Sequence, residues 1–479
     1  MVRGGVSRAE SLGDATALAA LVAAGQVSPA ELVEAACRRI ERVDPALGAV
    51  PVRFFDEAID CARSLAPGPP FAGVPFLMKD VGARQVGQPY YAANRALRDA
   101  DHRATADTVL GARFRELGLV TVGNSSAPEF GLQSNTWPLV YGPTRNPWDP
   151  ERAAGGSSGG ACAAVAAGLV PVAHASDGAG SIRIPASWCG LVGLKPSRDR
   201  IVWRHAGQGR SDVEFVVARS LRDTAAFLDG LRARTGGVPR GGFRAALSRN
   251  PSSLRVGFWL CSPGDSPVHP DCRGAAQRTA TLLSEQGHRV EETAPPTFSE
   301  YEARALHGAV LGAAEYRECL EELAERLGRP VGRGDVEPFL WELSQAEGGA
   351  ATAAEHAAAA RWNRDWAKRT LRWFEEYDLL VTPTVCEPAP RLCDLDPTRL
   401  TPIEMLERMV PHMAFTEPWN ATGQPAVSLP LAMSADGLPI GVQLVAGLGR
   451  EDLLLGVAAS LMDVAPAPAG PHPRIWADG

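Results

Sequence analysis

Apolar and polar positions along the chain change period repeatedly, from helical to strand-like and back. Residues 14–24 (DATALAALVAA) carry apolar side chains at helical spacing and stop at Gly25. Ser28-Pro29-Ala30-Glu31 is a capping box with proline in the first turn, so a second helix runs to about Val43, where Asp44-Pro45 ends it. A short strand over 49–53 and a helix over 56–66 come next, then a Pro/Gly turn at 66–73. The run VPFLMKD is an apolar strand that delivers Lys79 and Asp80 at its carboxyl end, where ligands bind in open α/β sheets. A helix over 107–118 and a strand over 119–123 succeed it. The polar loop 135–154, with Trp137 and Trp148, is long enough to be expected to wall a site.

The alternation continues after residue 190, with LVGLKPSRDRI as strand and turn and 220–232 as a helix. The Gly/Arg-rich run 235–250 is the best internal boundary. Strands are predicted over 254–258, 288–291 and 378–382, and helices over 272–286 and through 300–377, where Trp341, Trp362, Trp366 and Trp373 read as packing residues. Residues 424–446 form two apolar strands about the turn pair Asp436-Gly437, and a helix over 452–461 closes the chain. Strands alternating with helices give an α/β fold, and the paired strands near the end make its sheet mixed.

Composition narrows the partners. The net charge is −7 with no basic block, which argues against nucleic acid and anionic membrane surfaces. Nothing approaches about 18 consecutive strongly apolar residues, and the first residues hold no apolar secretory core. Nine cysteines are scattered without C-x-x-C spacing, as reduced thiols of a cytoplasmic protein would be. Nine histidines include no H-E-x-x-H, so no metal is expected. Only three of the 48 basic residues are lysines: Lys79, Lys195 and Lys368. Arginine stays protonated, whereas a buried lysine can become a neutral amine and act as a base. Lys368 reads as an ordinary surface residue and Lys195, beside Pro196, as structural.

Candidate chemistry concentrates between residues 155 and 190. GGSSGG (155–160) leads into an Ala-rich apolar segment to His174 and then into SDGAGSIRIPASWCG (176–190). That Ala-rich segment is too apolar to flank a flexible linker, and no lysine completes a phosphate-binding loop. No dinucleotide-binding fingerprint is present either. Ser157 and Ser181 lie 24 residues apart, each where glycine lets peptide N–H groups point at a bound group. Ser181 sits where irregular backbone gives way to apolar chain, a seat for a nucleophile with backbone donors beside it.

Together, GVPFLMKD, GPTRNPW, GGSSGG, DGAGSIRIP with CGLVGLKP, and PAVSLP with DGLPIGVQLVA resemble the amidase signature family over nearly the whole chain. The resemblance implies an α/β fold with a central mixed, twisted sheet covered by helices on both faces. It implies that Ser181 is the nucleophile, Ser157 the bridging serine after a cis peptide from Gly156, and Lys79 the base. The backbone of Gly178, Ala179 and Gly180 up to Ser181 matches the oxyanion hole, and Ser158 supports the network. Ala179 stands where the family has glycine, and GNSSAPEF (123–130) replaces a more usual GKTN beginning. His174 and Asp177 suggest a Ser–His–Asp triad with Ser181, but His174 lies in an apolar strand-like run. Asp177 is better read as fixing the loop with Arg183.

One domain is expected over 1–479: a helical part (1–66), a catalytic core (67–200), a mostly helical, substrate-shaping part (201–410) and a C-terminal part completing the sheet (411–479). The expected activity is hydrolysis of a linear or cyclic carboxamide without cofactor or metal. Ester or carbamate hydrolysis and acyl transfer would use the same residues; a glutaminase subunit or a silent scaffold fits less well. A small-molecule amide is the expected partner, with a homodimer as the one assembly considered. Trp137, Trp203 and Phe415 are candidate pocket walls. A neutral Lys79 near pH 7–8 needs a pKa roughly 2–3 units below the ordinary value, about 3–4 kcal/mol, which burial supplies.

Overall fold

The computed structural model describes residues 13–66, 68–202, 212–233, 237–249, 251, 253–264, 266–345 and 351–465. Its strands, in chain order, are β1 Val52–Arg53, β2 Pro75–Lys79, β3 Val120–Ser125, β4 Val172–Asp177, β5 Gly193–Lys195 and β6 Val213–Ala218. They continue with β7 Arg255–Phe258, β8 Arg289–Glu292, β9 Leu379–Pro383, β10 Ala426–Met433 and β11 Pro439–Ala446. Local chemistry sets the boundaries. Ser28 Oγ accepts the Glu31 N–H at 3.2 Å while the Glu31 carboxylate takes the Ser28 N–H at 2.8 Å, starting the helix Pro29–Val43. A cap of this kind is worth about 1 kcal/mol. The strand expected over 49–53 shrinks to two residues because the Asp44 carboxylate takes the N–H groups of Ala49 and Val50, at 2.7 and 3.1 Å.

Hydrogen bonding divides the strands into two ladders, β1-β3-β2-β4-β6 and β5-β10-β11-β9-β7-β8. A bridge between Val192 and Ala218 joins them, with Val192 N–H donating to the Ala218 carbonyl at 3.1 Å. Both ladders are mixed. β2 runs parallel to β3 and β4, whereas β6 closes antiparallel on β4. In the second, β10 and β11 form the expected hairpin, turned by Gly437 at φ +77°, and β7 is parallel to β8 and β9. The helices Pro29–Val43, Gly159–Ala166, Leu221–Leu231, Pro270–Glu285 and Glu451–Val464 pack against these strands.

One large buried apolar cluster runs through both ladders. Within it, all eight residues of the helix Gly159–Ala166 are buried. A Cβ at Gly160 would lie 2.4 Å from the Ser126 nitrogen, so small residues are a condition of this packing. The stretch 155–160 is therefore the tight entry to a core helix. Of the four tryptophans read as packing residues, Trp366 is fully buried and Trp341, Trp362 and Trp373 are half-buried. No helix among the described residues is long and apolar enough to cross a membrane.

Candidate active site

β2 is buried along its whole length, and Lys79 is its last residue, 1% exposed. Its Nζ donates to Ser157 Oγ at 2.7 Å and to Ser176 Oγ at 2.8 Å. Burial pulls the amine down from its ordinary range to about 8, against the opposing pull of Glu214, Asp177, Cys162 and Asp212. Ser157 comes after a cis peptide from Gly156 and precedes the core helix. Ser181 lies between β4 and the helix Arg183–Cys189. Ser157, Ser176 and Ser181 all line one cavity of about 790 Å³.

The two serine clusters are held together by backbone. Ser158 N–H donates to the Ser181 carbonyl at 3.3 Å. Ser158 Oγ donates to the Ser176 carbonyl at 3.2 Å and accepts the Ser176 N–H at 3.3 Å. No hydrogen bond joins Ser157 Oγ to Ser181 Oγ among the described residues. The chain of side-chain contacts therefore runs from Lys79 to Ser157, with Ser181 facing the same space.

The loop bearing Ser181 is tied down by a buried ion pair. Arg183 Nε and Nη2 donate to Asp177 Oδ2 and Oδ1 at 2.9 and 2.8 Å, with both side chains fully buried. The remaining guanidinium donors reach the Thr416 carbonyl and Gln443 Oε1 at 2.8 Å and Asn420 Oδ1 at 2.7 Å. Burial alone would raise the Asp177 carboxyl, but Arg183 overcomes it and holds the group at about 2. The arrangement differs from the expected oxyanion hole at Gly180. Its N–H is taken by Asp177 Oδ1 at 2.8 Å, so it is no free donor. Gly180 instead supplies backbone freedom, at φ +133° and with a Cβ position 2.3 Å from Thr416 Oγ1. Gly178 and Ala179 lie on the cavity wall, and the N–H groups of Ala179 and Ser181 make no hydrogen bond among the described residues. The Ala179 methyl is accommodated at that wall, where its carbonyl accepts from Thr416 Oγ1 at 2.6 Å.

Two of the candidate pocket walls, Trp137 and Phe415, do not line the cavity. Trp137 packs against the buried cluster that includes Ala153, Ile184 and Trp188 and is not itself part of the cavity lining. Phe415 is buried with Cys386 and Ala414, its carbonyl accepting from Trp419 and Gln443. Trp203 lies outside the described residues. The loop 135–154 contributes nothing to the lining; residues 130–134 do, because Phe130 at φ +52° and Gly131 at φ +77° turn the chain there. The helix Tyr301–Leu327 also supplies Tyr316 and Cys319 to the lining. Sequence reading missed Ser176 and Glu214. Ser176 opens the SDGAGS run, two residues from His174 on one face of β4, a signal that was available. His174 accepts the Lys79 backbone N–H on Nδ1 at 3.3 Å and is fully buried, which takes it out of a triad with Ser181. Lys195, also buried, donates to the Pro196 carbonyl at 3.0 Å, outside the cavity. Among the described residues, no three His, Cys, Asp or Glu side chains are grouped to hold a metal ion.

Comparison with known proteins gives this geometry a context. The Amidase family model matches residues 31–455. The 6-aminohexanoate-cyclic-dimer hydrolase of Paenarthrobacter ureafaciens is 40% identical over 96% of each chain. A putative amidase of Mycobacterium leprae is 36% identical over 95% of each. The solved structure of 6-aminohexanoate cyclic dimer hydrolase complexed with substrate superposes with a TM-score of 0.90 at 37% identity, covering 97% of this chain and 99% of that one. Motif resemblance and comparison agree on the family. The chain belongs to the amidase family, whose members act on C–N bonds.

Proposed function

We propose that the protein hydrolyses a small linear or cyclic carboxamide through an acyl-enzyme on Ser181, with Ser157 as relay and Lys79 as base. The observation that carries this reading is the 2.7 Å hydrogen bond from a desolvated lysine to a serine that shares its cavity with Ser181. An alcohol attacks an amide carbonyl poorly unless its proton is removed during attack. Ser181 Oγ gives its proton to Ser157 as Ser157 gives its own to neutral Lys79, and the new C–O bond leaves a negative oxygen on the former carbonyl. The N–H groups of Ala179 and Ser181 are the free donors for that oxygen, each worth about 3 kcal/mol. The proton then returns through Ser157 to the leaving nitrogen as the C–N bond breaks, and water opens the ester by the same path. The Ser157–Ser181 contact forms in the loaded site, as catalytic hydrogen bonds tighten when substrate arrives.

The relative acting on a cyclic dimer of 6-aminohexanoate makes short cyclic and linear oligoamides the first substrates to try. The described cysteines form no disulfide, which suits a reducing cytoplasm. Wild type and Ser181→Ala are to be compared on a panel of oligoamides, anilides, carbamates and esters, with mass spectrometry for an acyl adduct on Ser181. The adduct and loss of turnover in the variant are expected; full turnover in the variant overturns the assignment.

A further inference from the structure

Glu214 is a buried charged side chain of this cavity that neither the motifs nor the mechanism above uses. It sits on β6 directly across from Ser176 on β4, the serine that shares the Lys79 amine with Ser157. It is 1% exposed and lines the cavity. Its Oε1 occupies the space where a side chain at residue 82 would be: a Cβ on Gly82 would lie 2.0 Å away. Its Oε2 lies 3.4 Å from His174 Nε2, and neither atom has a hydrogen bond among the described residues. His174 Nδ1 accepts the Lys79 backbone N–H, which leaves Nε2 as the ring's donor nitrogen.

The contrast with Asp177 is informative. A carboxylate kept to brace structure is surrounded by donors, as Asp177 is by Gly180, Ile182, Arg183 and Asn420. Glu214 Oε2 is buried without a hydrogen bond, a cost that a nearby positive charge offsets. We propose that Glu214 is a positioning residue for the reaction: its carboxylate is the fixed counter-charge against which the Lys79 amine takes up and releases the Ser181 proton. The inference rests on the Ser157–Lys79 relay proposed above. Other groups facing Lys79 leave this role open. Asp177 is neutralised by Arg183, and burial holds the Cys162 thiol well above its ordinary value and therefore uncharged. Asp212 acts on the amine more weakly than Glu214 does, and Asp80 directs its oxygens to Tyr91, Ala93, Asn124 and Tyr141. When Lys79 is charged in the acyl-transfer step, Glu214 stabilises it; without that charge, burial drives the amine further toward the neutral form.

The test uses an uncharged probe, so that recognition of substrate charge does not enter. The rate of Ser181 sulfonylation by phenylmethylsulfonyl fluoride is measured against pH for wild type, Glu214→Asp and Glu214→Gln, with modification located by mass spectrometry. The acid limb of the rate, which reports deprotonation of Lys79, is expected to move down by about one pH unit in the Gln variant and by less in the Asp variant. A limb within about 0.3 unit of wild type in folded Glu214→Gln overturns the proposal even if rates fall. Should Glu214→Gln not fold, Glu214→Ala, which also removes the charge, is read against the same limits. Absence of labelling at Ser181 in wild type overturns the relay and this inference together; labelling with an unmoved limb overturns this inference only.

Discussion

Replacing Asp177 by asparagine removes one charge and keeps the side chain's shape, which isolates what the buried ion pair does. Oδ1 accepts from Gly180 N, Arg183 Nη2 and Asn420 Nδ2, and Oδ2 from Ile182 N, Arg183 N and Arg183 Nε. Whichever oxygen becomes the amide nitrogen, three donors lose their acceptor and at least one of them belongs to Arg183. That guanidinium, fully buried, is then left as an uncompensated charge. Breaking a buried pair in this way costs about 3–5 kcal/mol, a large share of a stability of about 5–15 kcal/mol. The loss appears in chemical denaturation monitored by tryptophan fluorescence, and it should be accompanied by a fall in turnover because the same six bonds hold the turn that carries Ser181. Arg183→Met tests the pair from the other side, and the double variant should be less than additive by about 2 kcal/mol or more, as expected for groups in direct contact. An Asp177→Asn protein within about 1 kcal/mol of wild type would refute the reasoning, because the carboxylate would then be replaceable by any shape-matched group.

The same contacts set four further outcomes. Lys79→Arg keeps the charge and gives no neutral amine at accessible pH, so hydrolysis should fall by about 10²–10⁴-fold; near-normal rates would show that another base serves. The lysine titrates at about 8, so kcat/KM should rise about tenfold per unit below that value and level above it; a limb centred below about pH 6.5 contradicts the assignment. Gly180→Ala forces a side chain to φ +133° and 2.3 Å from Thr416 Oγ1, and should cost about 1–3 kcal/mol and most of the activity. Burial lowers Lys195 to about 7, so between pH 7 and the ordinary lysine range the unfolded chain binds a proton that the folded chain does not. Stability should therefore rise with pH across that window, and Lys195→Met should reduce the slope by up to about 1.4 kcal/mol per unit, read from denaturation midpoints at about pH 7, 8 and 9.

What could be read from the sequence, and what could not, divides along a physical line. Lys79 was legible because two local facts meet on it: an apolar strand ends there, and lysine is rare in a chain that otherwise uses arginine. Ser157 and Ser181 were legible because glycine marks backbone that must turn or approach closely, as Gly160 and Gly180 show. The Asp177–Arg183 pair spans one turn and needed no knowledge of the fold. Periodicity, however, says which face a strand residue occupies and not which strand lies opposite. Ser176 acquires its lysine only when β2 and β4 pair, and Glu214 its place only when β6 closes antiparallel on β4. Thr416, Asn420 and Gln443 reach Arg183 from 233, 237 and 260 residues further along the chain. Trp137 and Phe415 miss the lining for a related reason. An aromatic residue in a long loop goes to an apolar surface, and for Trp137 that surface is the buried cluster to which the helix after Ser181 contributes Ile184 and Trp188. The wall fell instead to residues 130–134, whose position is set by left-handed backbone at Phe130, a conformation that its residue type does not announce. Local chemistry thus singled out Lys79, Ser157 and Ser181, of which the first two are hydrogen-bonded and the two serines share one cavity, and strand pairing decides which charges surround them. A substitution that leaves every motif intact but alters the β4–β6 pairing should therefore change the basicity of Lys79 before it changes the fold.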